Sequence, residues 1–217
     1  MKLIVFDFDG TILDTETPVY AAWQEIYDEH GHALEFAKWA QCIGTADTFD
    51  PCVDLATLVG RALDAEALER RHRVRTDALI AAQVLRPGIR ERIEEAASLG
   101  LALGVASSSG RAWVHGHLER LGLLDRFQAI RCAEDVPRVK PDPALYRAVL
   151  QALDIAPADA LALEDSPNGI LAAKGAGLTC VAVPNGLTAQ LDLAHADLVL
   201  GSLADISLAE LIARLRP

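Results

Sequence analysis

The feature that most constrains this chain is the apolar run 3–6, which is followed at once by the sequence Asp-Phe-Asp-Gly-Thr. A short, continuous apolar run of this kind is typical of a parallel strand buried on both faces. Asp7 and Asp9 lie two residues apart, so both carboxylates point the same way while the backbone stays extended. Gly10 lets the chain leave the strand in a conformation that most residues avoid. Because ligands bind at the carboxyl ends of strands in open α/β sheets, the pair predicts a reactive site there.

Two neighbouring carboxylates offer a specific chemistry. One can attack as a nucleophile, the other can move protons, and both can help to hold a divalent cation. The alternative is an ordinary Asp-Gly turn with both acids in solvent. Other motifs along the chain decide between the two interpretations.

Three further motifs favour the reactive site. A second apolar run ends at Ser107, whose hydroxyl can donate a hydrogen bond to a phosphate oxygen. Lys140 stands between prolines just ahead of a predicted helix, and proline is favoured at helix starts. A third apolar run ends in the adjacent acids Glu164 and Asp165, which repel each other unless a cation lies between them. A metal ion shared with Asp7 removes that conflict.

These four motifs, in this order, resemble those of the haloacid dehalogenase superfamily. The resemblance is closest to its branch of small-metabolite phosphatases, which are β-phosphoglucomutase-like or phosphoglycolate-phosphatase-like and carry a helical cap. It covers the whole chain, and Asp-Phe-Asp-Gly-Thr together with Glu-Asp-Ser-Pro-Asn-Gly are its most specific elements. It implies an α/β fold, with a Rossmann-like parallel sheet, helices on both faces and an inserted α-helical cap. It also implies a phosphoric monoester hydrolase.

The resemblance and carboxylate chemistry together imply a role for each acid. Mg²⁺ is the expected cofactor, because it suits carboxylate and backbone oxygens together with substrate phosphate. Its expected ligands are the carboxylates of Asp7, Asp165 and Glu164 and the backbone carbonyl of Asp9. Asp7 is expected to attack phosphorus and form an aspartyl-phosphate. Asp9 is expected to protonate the leaving group and then to activate water.

The remaining motif residues are expected to bind the phosphoryl group. Ser107, Ser108 and Lys140 would hold its oxygens and stabilise the charge that spreads over them. Lys140 is also expected to hold Asp7 in place.

Composition narrows the partners. The chain has 217 residues, 51% of them hydrophobic, and a net charge of -11, which argues against nucleic acid and membrane surfaces as partners. The expected partner is a small phosphorylated metabolite, and the chain is expected to be a monomer or a weak homodimer. The cysteines show no close paired spacing, and there is neither a secretory signal nor an 18-residue apolar run. These features predict a cytoplasmic protein.

Apolar patterning predicts two regions. After Pro87 the pattern alternates between helix and strand, which predicts a parallel sheet covered by helices. The predicted strands are 3–6, 101–106, 128–132, 159–163, 179–183 and 197–200, and the predicted helices of this region are 88–98, 111–121, 143–153, 168–176 and 207–215. Residues 17–30 and 33–83 read as helical, with breaks near Gly44 and at Asp50. We therefore expect a catalytic core of residues 1–14 and 86–217 and a helical cap of residues 15–85.

The predicted cap leaves the reaction open between hydrolysis and phosphoryl transfer within one molecule. In an ungapped alignment with the phosphoglucomutase branch, Val19 and Asp47 stand where that branch has a histidine and an arginine. Hydrolysis is therefore expected, with a phosphomutase as the alternative. A third alternative is a phosphate-binding protein without activity, which the complete set of catalytic positions disfavours.

Substrate contacts from the predicted cap are expected at Glu16, Thr17 and Arg75. Arg75 belongs to the basic cluster 71–75, for which the alternative is a solvated helix face. Three tryptophans in helical stretches, Trp23, Trp39 and Trp113, are expected to serve packing.

Overall fold

The computed structural model describes residues 1–43 and 49–215, and its centre is a parallel sheet in the order β3-β2-β1-β4-β5-β6. The strands are β1 Leu3–Phe6, β2 Ala102–Ala106, β3 Ala129–Arg131, β4 Ala160–Glu164, β5 Thr179–Ala182 and β6 Leu198–Val199. This sheet confirms the predicted Rossmann-like α/β fold. The strand predicted at 197–200 is shorter than expected, with two residues at the sheet edge.

Strand β1 occupies the middle of the sheet. It pairs in parallel with β2 on one side and β4 on the other, so that Leu3 lies opposite both Ala102 and Ala160. All four of its residues are fully buried. An unbroken apolar run is what a strand needs when helices cover both faces of its sheet.

Helices surround the sheet in two layers. The helices are α1 Glu16–Glu29, α2 Phe36–Trp39, α3 Pro51–Val59, α4 Ala65–Ala81, α5 Ile89–Ser98, α6 Arg111–Arg120, α7 Ala144–Leu153, α8 Pro167–Gly175 and α9 Leu208–Arg214. Helices α5, α6 and α9 cover one face, where Ile93, Leu118 and Leu211 share a buried cluster with side chains of the sheet. Helices α7 and α8 cover the other face, with Tyr146 and Ile170 in a second cluster.

The four helices between β1 and α5 have a third apolar cluster of their own. It joins Trp23 and Tyr27 of α1 to Leu55 of α3 and Leu68 of α4, and it also includes Leu187 from the loop after β5. The break predicted at residue 50 is present as a helix start. The Asp50 carboxylate there accepts hydrogen bonds from the first turn of α3. Gly44, the other predicted break, and Asp47 lie outside the described residues.

The two chain crossings beside this helical segment are joined to each other. The amide of Arg86 donates a hydrogen bond to the carbonyl of Ile12. The Arg86 guanidinium donates to the carbonyls of Gly10, Val183 and Pro184, at 2.5, 2.8 and 2.6 Å. One side chain thereby connects the loop after β1 to the loop after β5.

Two further features bear on the expectations from composition. Within residues 1–43 and 49–215, no helix combines the length and the apolar character needed to cross a membrane. In the same residues, none of the four cysteines forms a disulfide, and Cys52, Cys132 and Cys180 are buried.

Candidate active site

The candidate active site lies at the carboxyl ends of the three central strands. Asp7 directly follows β1, Ser107 directly follows β2, and Glu164 ends β4 with Asp165 next to it. Because β1 lies between β2 and β4, these residues meet at one edge of the sheet. Lys140 enters from the loop that precedes α7. The fold thus brings together all four motifs that the sequence singled out.

Lys140 is a buried cation between two buried acids. Its Nζ donates to Asp7 Oδ1 at 2.5 Å and to Glu164 Oε1 at 2.7 Å. Lys140 is 1% exposed and Glu164 is fully buried. Burial alone would lower the pKa of Lys140, but the carboxylates of Asp7 and Glu164 hold it above its ordinary value. The lysine is therefore charged, and it fixes one oxygen of Asp7.

Glu164 is held on both of its oxygens. The hydroxyl of Tyr146 donates to Oε1 at 2.5 Å, and the backbone amide of Asp165 donates to Oε2 at 3.2 Å. The first turn of α8 packs directly against this carboxylate. The approach is so close that a side chain at Gly169 would overlap the carboxylate. The start of α8 is fixed by Ser166, whose hydroxyl accepts the amide of Gly169.

Three carboxylates form a group that fits a divalent metal ion. Asp7, Glu164 and Asp165 each offer an oxygen, and these oxygens lie within 4.8 Å of one another. Asp7 Oδ2 is buried and has no hydrogen-bond partner among the described residues. Burial raises the pKa of Asp7 to about 8; Lys140 opposes the shift, and Glu164 and Asp9 add to it. Burial, followed by the negative charges of Asp7, Glu164 and Glu16, raises the pKa of Asp165 well above its usual range. Such a cluster favours a hard cation with oxygen ligands.

Asp165 is positioned by two other loops. Asn185 Nδ2 donates to Asp165 Oδ2 at 2.8 Å, and Asn185 Oδ1 accepts the amides of Leu187 and Thr188. Gly10 approaches so closely that a Cβ there would overlap the Asp165 carboxylate. Its φ of +83° also disfavours any other residue. The glycine predicted to release the chain from β1 is thus required for two reasons.

Asp9 lies beside the cluster of three carboxylates and is surrounded by hydrogen-bond donors. Its Oδ1 accepts from Thr15 Oγ1 and Trp113 Nε1, both at 2.8 Å. Its Oδ2 accepts from Ser109 Oγ at 2.6 Å and Ser107 Oγ at 3.3 Å. The Asp9 carboxylate is therefore oriented by α6 and the loop after β2, whereas Asp7 is oriented by Lys140.

A cavity of about 300 Å³ opens above these acids. Asp7 and Asp9 form its floor, and Ser108, Ser109 and Trp113 line one side. The facing side comes from the segment that contains α1 and α2. That side consists of Thr15, Glu16, Val19, Trp39 and Cys42.

The substrate contacts predicted from the helical segment divide into two groups. Glu16 lines the cavity and is half-buried there. Arg75 does not reach the cavity. It forms two 2.8 Å hydrogen bonds with Glu25 and lines a separate surface depression on α4. Thr17 is exposed, and its amide caps α1 by donating to Asp14. This arrangement does not bring the expected substrate contacts at Arg75 and Thr17 to the cavity, because α4 directs Arg75 toward an acidic neighbour at the surface and Thr17 lies in the first turn of α1.

Several side chains that organise the site were missed from the sequence. Trp113, expected to serve packing, donates to Asp9, and Trp39 lines the cavity. Tyr146 and Asn185 donate hydrogen bonds to Glu164 and Asp165 of the carboxylate cluster. Asn185 had a usable signal, since it closely follows the end of a predicted strand. Tyr146 had none, because a tyrosine in a helix is usually a core residue.

Comparisons with known proteins agree with this arrangement. Residues 4–183 match the family model described as haloacid dehalogenase-like hydrolase. The chain is 44% identical over 215 residues to a Bacillus subtilis (strain 168) protein named "Putative phosphatase YhcW", covering 99% of this chain and 98% of that one. It is 32% identical over 208 residues to the validoxylamine A 7'-phosphate phosphatase of Streptomyces hygroscopicus subsp. limoneus, covering 94% and 95%.

A solved structure extends the similarity to three dimensions. It is a variant of CbbY from Rhodobacter sphaeroides in complex with xylulose-(1,5)bisphosphate. The TM-score is 0.74 at 31% identity, and the match covers 96% of this chain and 98% of the other. The likeness therefore extends over the sheet, the helical segment and the site between them.

The close packing of α8 on Glu164 gives a stability prediction. Gly169→Ala is expected to lower the free energy of unfolding by about 1–3 kcal/mol, because the added methyl group overlaps a buried carboxylate that cannot move away. Urea unfolding followed by circular dichroism measures this change. The matched control is Gly175→Ala at the other end of α8, where the methyl group meets Pro143 at an ordinary 3.5 Å. An equal, small effect of both substitutions would contradict the proposed packing.

Proposed function

Because this chain belongs to the haloacid dehalogenase-like hydrolases and is a phosphatase of phosphorylated small metabolites, we propose that it hydrolyses sugar phosphates through a Mg²⁺-dependent aspartyl-phosphate mechanism. The sugar phosphate is supported by two relatives. One is named for validoxylamine A 7'-phosphate, and a related structure holds xylulose-(1,5)bisphosphate.

The two oxygens of Asp7 carry the proposal. Oδ1 is held by Lys140, whereas buried Oδ2 has no partner among the described residues, and Asp7 lines the cavity floor. An oriented carboxylate with one oxygen unengaged is suited to in-line attack on phosphorus. The phosphorus–oxygen bond to the leaving group then breaks as the bond to Asp7 forms.

Asp9 supplies the proton transfers. It gives a proton to the departing alkoxide and later takes one from the water that hydrolyses the aspartyl-phosphate. Three of its neighbours, Thr15, Ser107 and Ser109, are hydroxyls that both donate and accept hydrogen bonds. They can donate to the carboxylate and rotate to accept from the acid. The surroundings of Asp9 thus suit both protonation states that the mechanism requires.

The residues suited to hold the metal ion are Asp7, Glu164 and Asp165, together with the backbone carbonyl of Asp9. Their fit rests on three carboxylate oxygens, one from each acid, that lie within 4.8 Å of one another. When bound, Mg²⁺ supplies positive charge that screens the anionic nucleophile from the anionic phosphate and stabilises the transferring group.

Ser107, Ser108 and Lys140 are the proposed phosphoryl-binding residues. Ser108 lines the cavity, and Ser107 and Lys140 are buried directly behind Asp9 and Asp7. Lys140 contributes a fixed positive charge near the attacking oxygen, in a site where little water screens it.

We propose residues 15–85 as a cap over this site, with the crossings near residues 14–17 and 82–87 as its hinges. The separate apolar cluster of α1, α3 and α4 supports the division. The helical side of the cavity would then exclude bulk water and contact the leaving group. Val19 lies in this wall where the phosphomutase branch has a histidine, which favours hydrolysis over transfer within one molecule.

The absence of disulfides among the described residues supports a reducing, cytoplasmic location.

The nucleophile gives the first test. Asp7→Asn is expected to lose phosphatase activity without unfolding, because the amide has nearly the same shape but does not attack phosphorus. The measurement is phosphate release from sugar phosphates and from p-nitrophenyl phosphate, with circular dichroism as a check of folding. Asp28→Asn, an exposed change on α1, serves as the control. Near-normal turnover by Asp7→Asn would contradict the covalent mechanism.

Metal removal gives the second test. A chelator is expected to abolish phosphate release and added Mg²⁺ to restore it. Ca²⁺ should inhibit, because its larger and looser coordination spoils the in-line geometry. Chelator already saturated with Mg²⁺ is the control for direct inhibition. Undiminished activity in excess chelator would show that the carboxylate cluster does not serve a required metal ion.

A further inference from the structure

The helical wall, which is the side of the cavity formed by the segment that contains α1 and α2, faces the leaving group of the substrate. Asp7 lies on the floor and takes the phosphoryl group, so the alcohol must face the opposite side. That side is built by Glu16 and Val19 of α1, Trp39 of α2 and Cys42. Its chemistry therefore selects the leaving group.

Acidic side chains line the cavity. Asp7, Asp9 and Glu16 line the cavity, and none of the described residues that line it is a lysine, arginine or histidine. The sequence of residues 44–48, which lie outside the described residues, contains no basic residue. Burial, followed by the charges of Asp9 and Asp7, raises the pKa of Glu16 to about 8. A site that disfavours a carboxylate also disfavours a second phosphate.

Two arginines of the basic cluster 71–75 are engaged elsewhere. Arg71 pairs with Glu29 and Arg75 pairs with Glu25, and both arginines line the depression on α4. Their charges are matched at the surface by acids of α1. They do not supply the cavity with the positive charge that a bisphosphate requires.

Two polar groups of the wall lack partners within residues 1–43 and 49–215. Trp39 is 6% exposed, and its Nε1 has no acceptor among the described residues. The side-chain carboxyl of Glu16 is half-buried and, in the same part of the chain, forms no hydrogen bond or ion pair. A buried donor without an acceptor is costly, and a ligand oxygen removes that cost. Hydroxyl groups meet both needs, since a hydroxyl can accept from Trp39 and donate to Glu16.

We propose that the substrate is a monophosphate ester of a polyhydroxylated alcohol with no second anionic group, selected by Glu16 and Trp39. The inference rests on the proposed function, because it assumes that Asp7 receives the phosphoryl group. The cavity volume of about 300 Å³ agrees with a single small metabolite. The chain would then differ from the CbbY variant, which holds a bisphosphate.

The first arm of the test compares matched substrates with the wild-type protein. Phosphate release is measured for fructose 6-phosphate against fructose 1,6-bisphosphate and for glucose 6-phosphate against glucose 1,6-bisphosphate. The kcat/KM for each monophosphate is expected to exceed that for its bisphosphate by about 10-fold or more, because the added phosphate finds no basic side chain among the described residues that line the cavity. This comparison does not depend on any variant folding correctly.

The second arm changes the wall. Glu16→Lys is expected to reduce the preference for monophosphates by about 10-fold or more, and Glu16→Gln by less, because the local charge becomes more positive. Glu25→Gln lies on the same helix outside the cavity and should leave the preference unchanged.

Trp39→Phe keeps an aromatic ring but loses the N–H. It should lower kcat/KM for sugar monophosphates about 3- to 10-fold relative to p-nitrophenyl phosphate. Trp23→Phe, in the same apolar cluster, is the control for lost packing.

The outcomes separate the two proposals. Equal kcat/KM values for monophosphates and bisphosphates, or an unchanged preference in folded Glu16→Lys, would overturn the inference. In that case, Asp7-dependent hydrolysis of p-nitrophenyl phosphate would leave the proposed function standing. If the wild-type protein with Mg²⁺ releases phosphate from none of these esters, the proposed function fails and the inference fails with it.

Discussion

The interaction on which the rest of the structure depends is the buried ammonium group of Lys140 between Asp7 and Glu164. It lies 2.5 and 2.7 Å from the two carboxylates, and almost none of it is exposed. It ties the loop before α7 to the ends of β1 and β4, and it offsets negative charge that burial would otherwise make prohibitive. Removing one member of such a buried group typically costs about 3–5 kcal/mol, because the remaining charges lose their compensation. By holding one oxygen of Asp7, Lys140 leaves the other for chemistry.

The same arrangement explains how an acidic protein can act on anions. The chain carries a net charge of -11, so its overall field repels a phosphate. Local positive charge at the floor, from Lys140 and the proposed metal ion, overcomes that field only where the phosphoryl group reacts. The wall around Glu16 lies beyond this positive charge, and none of its described residues is basic. One end of the cavity therefore suits a phosphate, and the other suits hydroxyl groups.

Sequence reasoning succeeded where a residue's role follows from its own strand. The run 3–6 was predicted to be a buried strand because it is apolar throughout, and the acids after it were placed by the rule for carboxyl ends of strands. It failed where a role depends on which element lies opposite. Arg75 has the same basic character whether it faces a substrate or Glu25, and only the packing of α1 on α4 decides. The roles of Trp113 and Tyr146 were missed, because their polar atoms reach acids that are distant in the sequence.

The central claim is that Asp7 carries the phosphoryl group, and Asp9→Asn offers the most direct measurement of it. A p-nitrophenolate leaving group needs little help from an acid, whereas hydrolysis of the aspartyl-phosphate needs Asp9 as a base. With Mg²⁺ and p-nitrophenyl phosphate, the variant should release one equivalent of p-nitrophenol per protein and then stall. Mass spectrometry of the acid-quenched protein should find the phosphoryl group on the peptide that contains Asp7. A phosphoryl group on another residue, or a burst of p-nitrophenol with no phosphorylated peptide, would contradict the account.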